Sequence, residues 1–236
     1  MNTRTYRPVP LGLTMLIALF SALVALAVAG GHDAAAHGNG DLHATAQATA
    51  ADNPRISQSE VALRQDMRKL WEDHVTWTRL AIISLTTVSP DTDATVGRLL
   101  QNQIDIGDVV EPFYGAAAGD ELTRQLRLHI LIAADVVAAA RAGDQAALED
   151  AQARWLSNAD DIAALLNSVN PRFWPLATIK AEMHKHLDLT TQEAVARLQG
   201  NWTADVAAYD RIHEHILHMS DLLSNGLVKQ FPNRFH

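Results

Sequence analysis

The chain has 236 residues, no cysteine and a net charge of −8 with histidine neutral. Without cysteine it can form no disulfide, carry no lipid on an N-terminal cysteine and offer no thiolate to a metal. The acidic balance and the lack of any Lys/Arg run argue against nucleic acid and anionic lipid as partners.

Residues 1–29 hold two basic residues, Arg4 and Arg7, and no acid. From Leu11 to Ala29 no charge occurs, and the run ends in Ala27-Val28-Ala29, a small-x-small pattern suited to signal cleavage. The run is also about long enough for a retained membrane anchor, which takes roughly 17–25 apolar residues. On either reading the rest of the chain is expected to be secreted or extracytoplasmic. This segment is then the only expected contact with a membrane. Residues 30–56 are rich in Gly, Ala, Thr, Asn and His, and are expected to be a linker too apolar-poor to offset its ordering entropy. Its His32, His37 and His43 can scavenge metal without forming a defined site.

Residues 57–236 read as one all-α domain, a bundle of six antiparallel helices in three hairpins. The first helix opens on Ser57-Gln58-Ser59-Glu60, a capping box. Its stripe of Leu63, Met67, Leu70, Trp71, Thr78, Ala81, Ile82 and Leu85 follows the 3.6-residue period. Ser89-Pro90-Asp91 ends it. The second helix is expected from Asp93 to Phe113, stopping before Gly115. The third runs from Asp120 to Ala142, with Gly143 suited to the position after a helix end. The fourth starts near Asp144 and stops at Asn170-Pro171. The fifth runs from Pro175 to Gly200, and the sixth from Thr203 to just before Pro232. The turns are short, so neighbouring helices must run antiparallel.

The hairpins repeat weakly. Each odd helix carries a histidine near its middle, at His74, His129 and His186, on the apolar stripe. Each even helix carries a polar pair: Asn102 with Asp105, Asn158 with Asp161, and His218 with Asp221. Counting 1.5 Å per residue from each turn, the histidine and its pair match in height in the first two hairpins. In the third the match is off by about one turn, and His215 sits closer than His218. Residues i and i+3 share a helix face, so each Asn and its Asp are expected to converge on one mid-bundle layer. A second cluster combines Glu182, His184 and His186 with His213, Glu214, His215 and His218; a solvated helix face explains most of it.

Two chemistries fit the layer. Inward histidines and carboxylates on several helices are how bundle metal sites are built, and this donor set suits Zn, Mn, Fe, Ni or Co. The same groups can instead satisfy one another and fix helix register. The leading expectation is a divalent-metal-binding or metal-sensing bundle. Its alternatives are a structural or partner-binding bundle, and an enzyme using the same residues.

Trp71-Glu72-Asp73-His74-Val75-Thr76-Trp77-Thr78-Arg79, Asn158-Ala159-Asp160-Asp161-Ile162-Ala163 and Lys229-Gln230-Phe231-Pro232 resemble a family of small bacterial helical proteins. Its members share a Trp-x-x-His-x-x-Trp-Thr-Arg start and a Lys-Gln-Phe-Pro end. They carry inconsistent labels, among them glycosyltransferase and acetylglutamate kinase. Those activities imply an α/β scaffold with a phosphate-cradling turn, and no Gly-rich strand-to-helix loop occurs here, so no nucleotide cofactor is expected. Asp91-Thr92-Asp93 lies at a helix start, where capping explains it. Asn201-Trp202-Thr203 matches a glycosylation sequon but also suits a cap.

Overall fold

The structure, a computed structural model, describes residues 56–235. The apolar leader and nearly all of the linker lie outside the described residues. Six helices follow one another: α1 (Gln58–Thr87), α2 (Thr92–Tyr114), α3 (Ala116–Ala142), α4 (Gln145–Val169), α5 (Leu176–Leu198) and α6 (Trp202–Gln230). A 3₁₀ turn, Pro232–Arg234, closes the chain. Each helix packs on the next and α6 returns to α1, so the hairpins form a closed ring around one core. Among the described residues no helix is long and apolar enough to cross a membrane.

Local chemistry explains the boundaries. The Ser57 hydroxyl accepts the Glu60 N–H at 3.1 Å, one half of the expected capping box. Glu60 is instead engaged by Arg64 one turn on, at 2.7 Å. Asp144 and Asn201 cap α4 and α6 by accepting from Ala147 and Ala204. Asp91 stands at the N-cap of α2 but makes no cap bond; its carboxylate accepts from Ser84 Oγ at 2.9 Å. The third helix begins four residues before the expected Asp120, because Gly115 alone makes the turn at φ 87°. α2 and α3 then cross closely, and a Cβ on Gly107 would stand 2.7 Å from the Gly119 carbonyl oxygen.

Val88 ends α1 in the left-handed region at φ 54°, where a β-branched residue is strained. It is 68 % exposed, so its side chain contributes little packing. Replacing Val88 by Gly is expected to stabilise the fold by about 1 kcal/mol, read as a higher urea midpoint at unchanged slope.

The two ends of the bundle are closed differently. At one end Tyr114, Trp174 and Phe231 pack together, and Tyr114 donates to Gln230. Gly226 admits the Trp174 indole against the α6 backbone. Toward the other end two acids are buried with two arginines. Arg79 donates to Glu193 at 2.7 Å and to Asp205 at 3.0 Å, and Arg197 donates to Asp205 at 3.0 Å. Burial pushes the Glu193 carboxyl up to about 7, against the pull of Arg79.

Candidate metal centre

Four imidazoles meet at mid-height. His186 is the hub: its ring centroid lies 5.7 Å from that of His74, 6.2 Å from His129 and 6.3 Å from His215. All four histidines are buried. Their helices bring them there because each lies on the apolar stripe of α1, α3, α5 or α6.

The internal repeat is written in hydrogen bonds. In each hairpin a buried polar side chain of the even helix donates to the carbonyl four residues before the odd helix's histidine. Asn102 Nδ2 donates to Leu70 O at 3.0 Å, Asn158 Nδ2 to Gln125 O at 3.3 Å, and His215 Nε2 to Glu182 O at 3.1 Å. The counterpart of the two asparagines is therefore His215. His218, the expected third member, is exposed, with its Nε2 3.8 Å from Glu182 Oε1. The step from the histidine to this donor is 28 residues from His74 to Asn102 and 29 residues from His129 to Asn158 and from His186 to His215.

The expected convergence of each Asn with its Asp fails in the first two hairpins, and in the third neither His218 nor Asp221 joins the layer. Asn102, Asn158 and His215 each stand at one border of a buried stripe. Three residues on, the helix has turned by about 60° away from that stripe. Asp105 is accordingly only half-buried and accepts from Gln101, beside a surface groove between α1 and α2. Asp161 is exposed. Asp221 is half-buried and pairs with Arg68 on α1. The outer part of the second cluster forms surface pairs, with His213 on Glu72 at 2.6 Å and His184 on Asp160 at 2.8 Å.

The hydrogen bonds fix what each imidazole can do. Asn158 Nδ2 is bound to a carbonyl, so its Oδ1 faces His129 and accepts the Nδ1–H at 2.8 Å. Trp155 Nε1–H donates to His129 Nε2 at 3.0 Å. Both nitrogens of His129 are thus engaged, and no lone pair is free for a ligand. His74 Nδ1 lies 3.3 Å from the Gln103 amide nitrogen, which also donates to Leu99 O and Asn102 Oδ1. Among the described residues eleven buried side-chain nitrogen or oxygen atoms have no hydrogen-bond partner, and three of them are His186 Nδ1, His215 Nδ1 and Glu182 Oε2. The last two lie 3.5 Å apart without hydrogen-bond geometry.

Burial drives the electrostatics. It pushes the His74 and His129 imidazoles down to about 4, and His186 well below its ordinary value. Charge on a neighbouring imidazole adds to this for His74 and His186. His215 is lowered by burial too, although the Glu182 carbonyl and carboxylate oppose the shift. All four are neutral at pH 7, the protonation state a metal requires.

Two narrow internal cavities flank the layer. One, of about 40 Å³, is lined by Met67, Trp71 and Leu126 and reaches His74, His129 and His186. The other, of about 50 Å³, is lined by Ala81, Ala133 and Ala194 beyond them. Organic-ligand pockets run to about 300–1,000 Å³, whereas a water needs only about 10–15 Å³. The core as it stands has room for an ion or a few small molecules. Among the described residues no three His, Asp or Glu side chains already stand as a closed metal-ligand set. Comparisons with protein-family models, curated proteins and solved structures give no match.

Proposed function

We propose that this chain is an extracytoplasmic helical-bundle protein that takes up a divalent transition metal at its buried imidazole layer. The observation that carries this reading is the His186 imidazole, buried among three other imidazole rings with its Nδ1 unpartnered. A buried donor or acceptor left unsatisfied costs about 1–3 kcal/mol, a cost that a bound metal ion or an internal water would offset. Neutral imidazole with carboxylate suits Zn, Mn, Fe, Ni or Co. The uncharged run from Leu11 to Ala29 supports export.

The saturated bonds of His129 favour a second, structural role for part of the same layer: His129 with Asn158, and His74 with Gln103, hold helix register. A purely structural layer predicts no response to metal. The test uses the full chain with His32, His37 and His43 replaced by Ala, which removes linker scavenging. A metal at a hundredfold excess over its Kd is expected to stabilise the fold by about 2.7 kcal/mol, read as a raised melting temperature. The increase should persist through about pH 6.5 and fade only at lower pH, because burial already holds the layer imidazoles neutral below their ordinary value and a ligating imidazole must be neutral. An unchanged melting temperature across all five metals would remove this function.

A further inference from the structure

The three hairpins repeat one hydrogen bond but not its chemistry. On α2 and α4 the buried donor is an amide, Asn102 or Asn158; on α6 it is the imidazole of His215. The residue four before the odd-helix histidine changes in parallel, from Leu70 to Gln125 to Glu182. In the second hairpin these two positions form a closed neutral pair, Asn158 Nδ2 donating to Gln125 Oε1 at 3.0 Å. In the third they hold an imidazole and a carboxylate, and the pair stays open.

The tautomer of His215 follows from its partner. The Glu182 carbonyl can only accept, so Nε2 carries the hydrogen and Nδ1 presents a lone pair. Glu182 Oε2 lies 3.5 Å from that nitrogen. Both atoms are buried, and a cation between them would bind both.

We propose that the third hairpin holds one divalent transition-metal ion between His215 Nδ1 and Glu182 Oε2, with His186 and His218 completing the ligand set. This deepens the metal-binding reading above and rests on it. Two ligands about 2.0–2.2 Å from a tetrahedral ion stand about 3.3–3.6 Å apart, which brackets the distance between these two atoms. The bond from His215 Nε2–H to a backbone carbonyl is the kind of outer contact that orients a ligating imidazole. His186 lies one turn beyond Glu182 on the same face of α5, with Nδ1 buried and unpartnered. His218 lies on the solvent side of Glu182, 62 % exposed and so able to turn inward. Both side chains would have to rotate to complete the set, His186 from within the core and His218 from the surface. All four ligands come from one hairpin, so the site does not depend on His74 or His129.

The test starts from the full chain with His32, His37 and His43 replaced by Ala. Zinc affinity is measured by calorimetry, and cobalt(II) binding by the intense visible absorption of a tetrahedral site. The double variant Glu182→Gln with His215→Asn gives the third hairpin the amide chemistry of the second, so its backbone bond to position 182 is kept. This variant is expected to melt as its parent does without metal, to bind zinc about 100-fold more weakly or worse, and to lose the cobalt band. His218→Ala is expected to weaken binding about tenfold. His184→Ala and His213→Ala, on the surface pairs, should leave it unchanged. Parent-like binding by the double variant, or loss of binding in His184→Ala or His213→Ala, overturns this site while leaving metal binding in place. No metal binding by the parent overturns both. Should the double variant fail to fold, Glu182→Gln alone is read on the same cobalt band: its loss supports the site, and a parent-like band overturns it.

Discussion

Acidification from pH 6.5 to 4 is expected to cost this fold about 3–6 kcal/mol and to unfold it before ordinary carboxylates are protonated. An unfolded histidine takes its proton near 6.5, whereas burial holds His74 and His129 neutral in the fold down to about 4. Their depressed values mean that the stability they carry is complete above 6.5 and is lost as pH falls toward 4. Lowering a pKa by one costs about 1.4 kcal/mol, so the two together give on the order of 6 kcal/mol. His186 and His215 act in the same direction. Glu193 opposes them: its raised carboxyl binds a proton in the fold before it does in the unfolded chain, from pH 7 down to about 4.5. That offsets roughly one histidine. A total stability of about 5–15 kcal/mol leaves little after such a loss. Urea titrations at several pH values, without metal, check the slope. Stability that stays flat from pH 7 to 4.5 would contradict the buried neutral layer.

The other large effect belongs to the ion network. Arg79 is the shared partner of Glu193 and Asp205, both almost fully buried. Replacing Arg79 by Met keeps much of the apolar stem but leaves Glu193 without a hydrogen-bonded arginine and Asp205 with Arg197 alone. Removing one partner of a buried pair costs about 3–5 kcal/mol, mostly through the charge left behind, and that cost is expected here. The defect should shrink at lower pH, because Glu193 can escape it by taking a proton. Comparing variant and parent at pH 8 and pH 6 isolates this from the histidine effect. A cost under about 1 kcal/mol at both pH values would show that the network contributes no more than a surface pair.

What the sequence disclosed follows from the range of each interaction. Helix ends were legible because caps act within a few residues: Ser57, Asp144 and Asn201 each serve the turn they precede. The start of α3 was missed because Gly115, read as a stop, makes the whole turn by itself. The histidines of the layer were legible from their place on apolar stripes. Their partners were half-legible: Asn102 and Asn158 stand where the pattern put them, while Asp105, Asp161 and His218 turn outward at the stripe border. His215 was legible from its height, closer to that of His186 than His218 is, and it shares with Asn158 a step of 29 residues from the histidine. The Arg79 network was not, since its bonds join residues 114 and 126 apart and no local pattern marks them.

On this proposal, one metal ion sits on the third hairpin. The most direct measurement is anomalous diffraction from crystals of the full chain, with His32, His37 and His43 replaced by Ala, grown with zinc. Data collected above the zinc absorption edge are expected to show one strong peak inside the bundle, about 2.0–2.2 Å from His215 Nδ1 and Glu182 Oε2. Peaks confined to surface residues such as His184 and His213, with none beside His215, would contradict it.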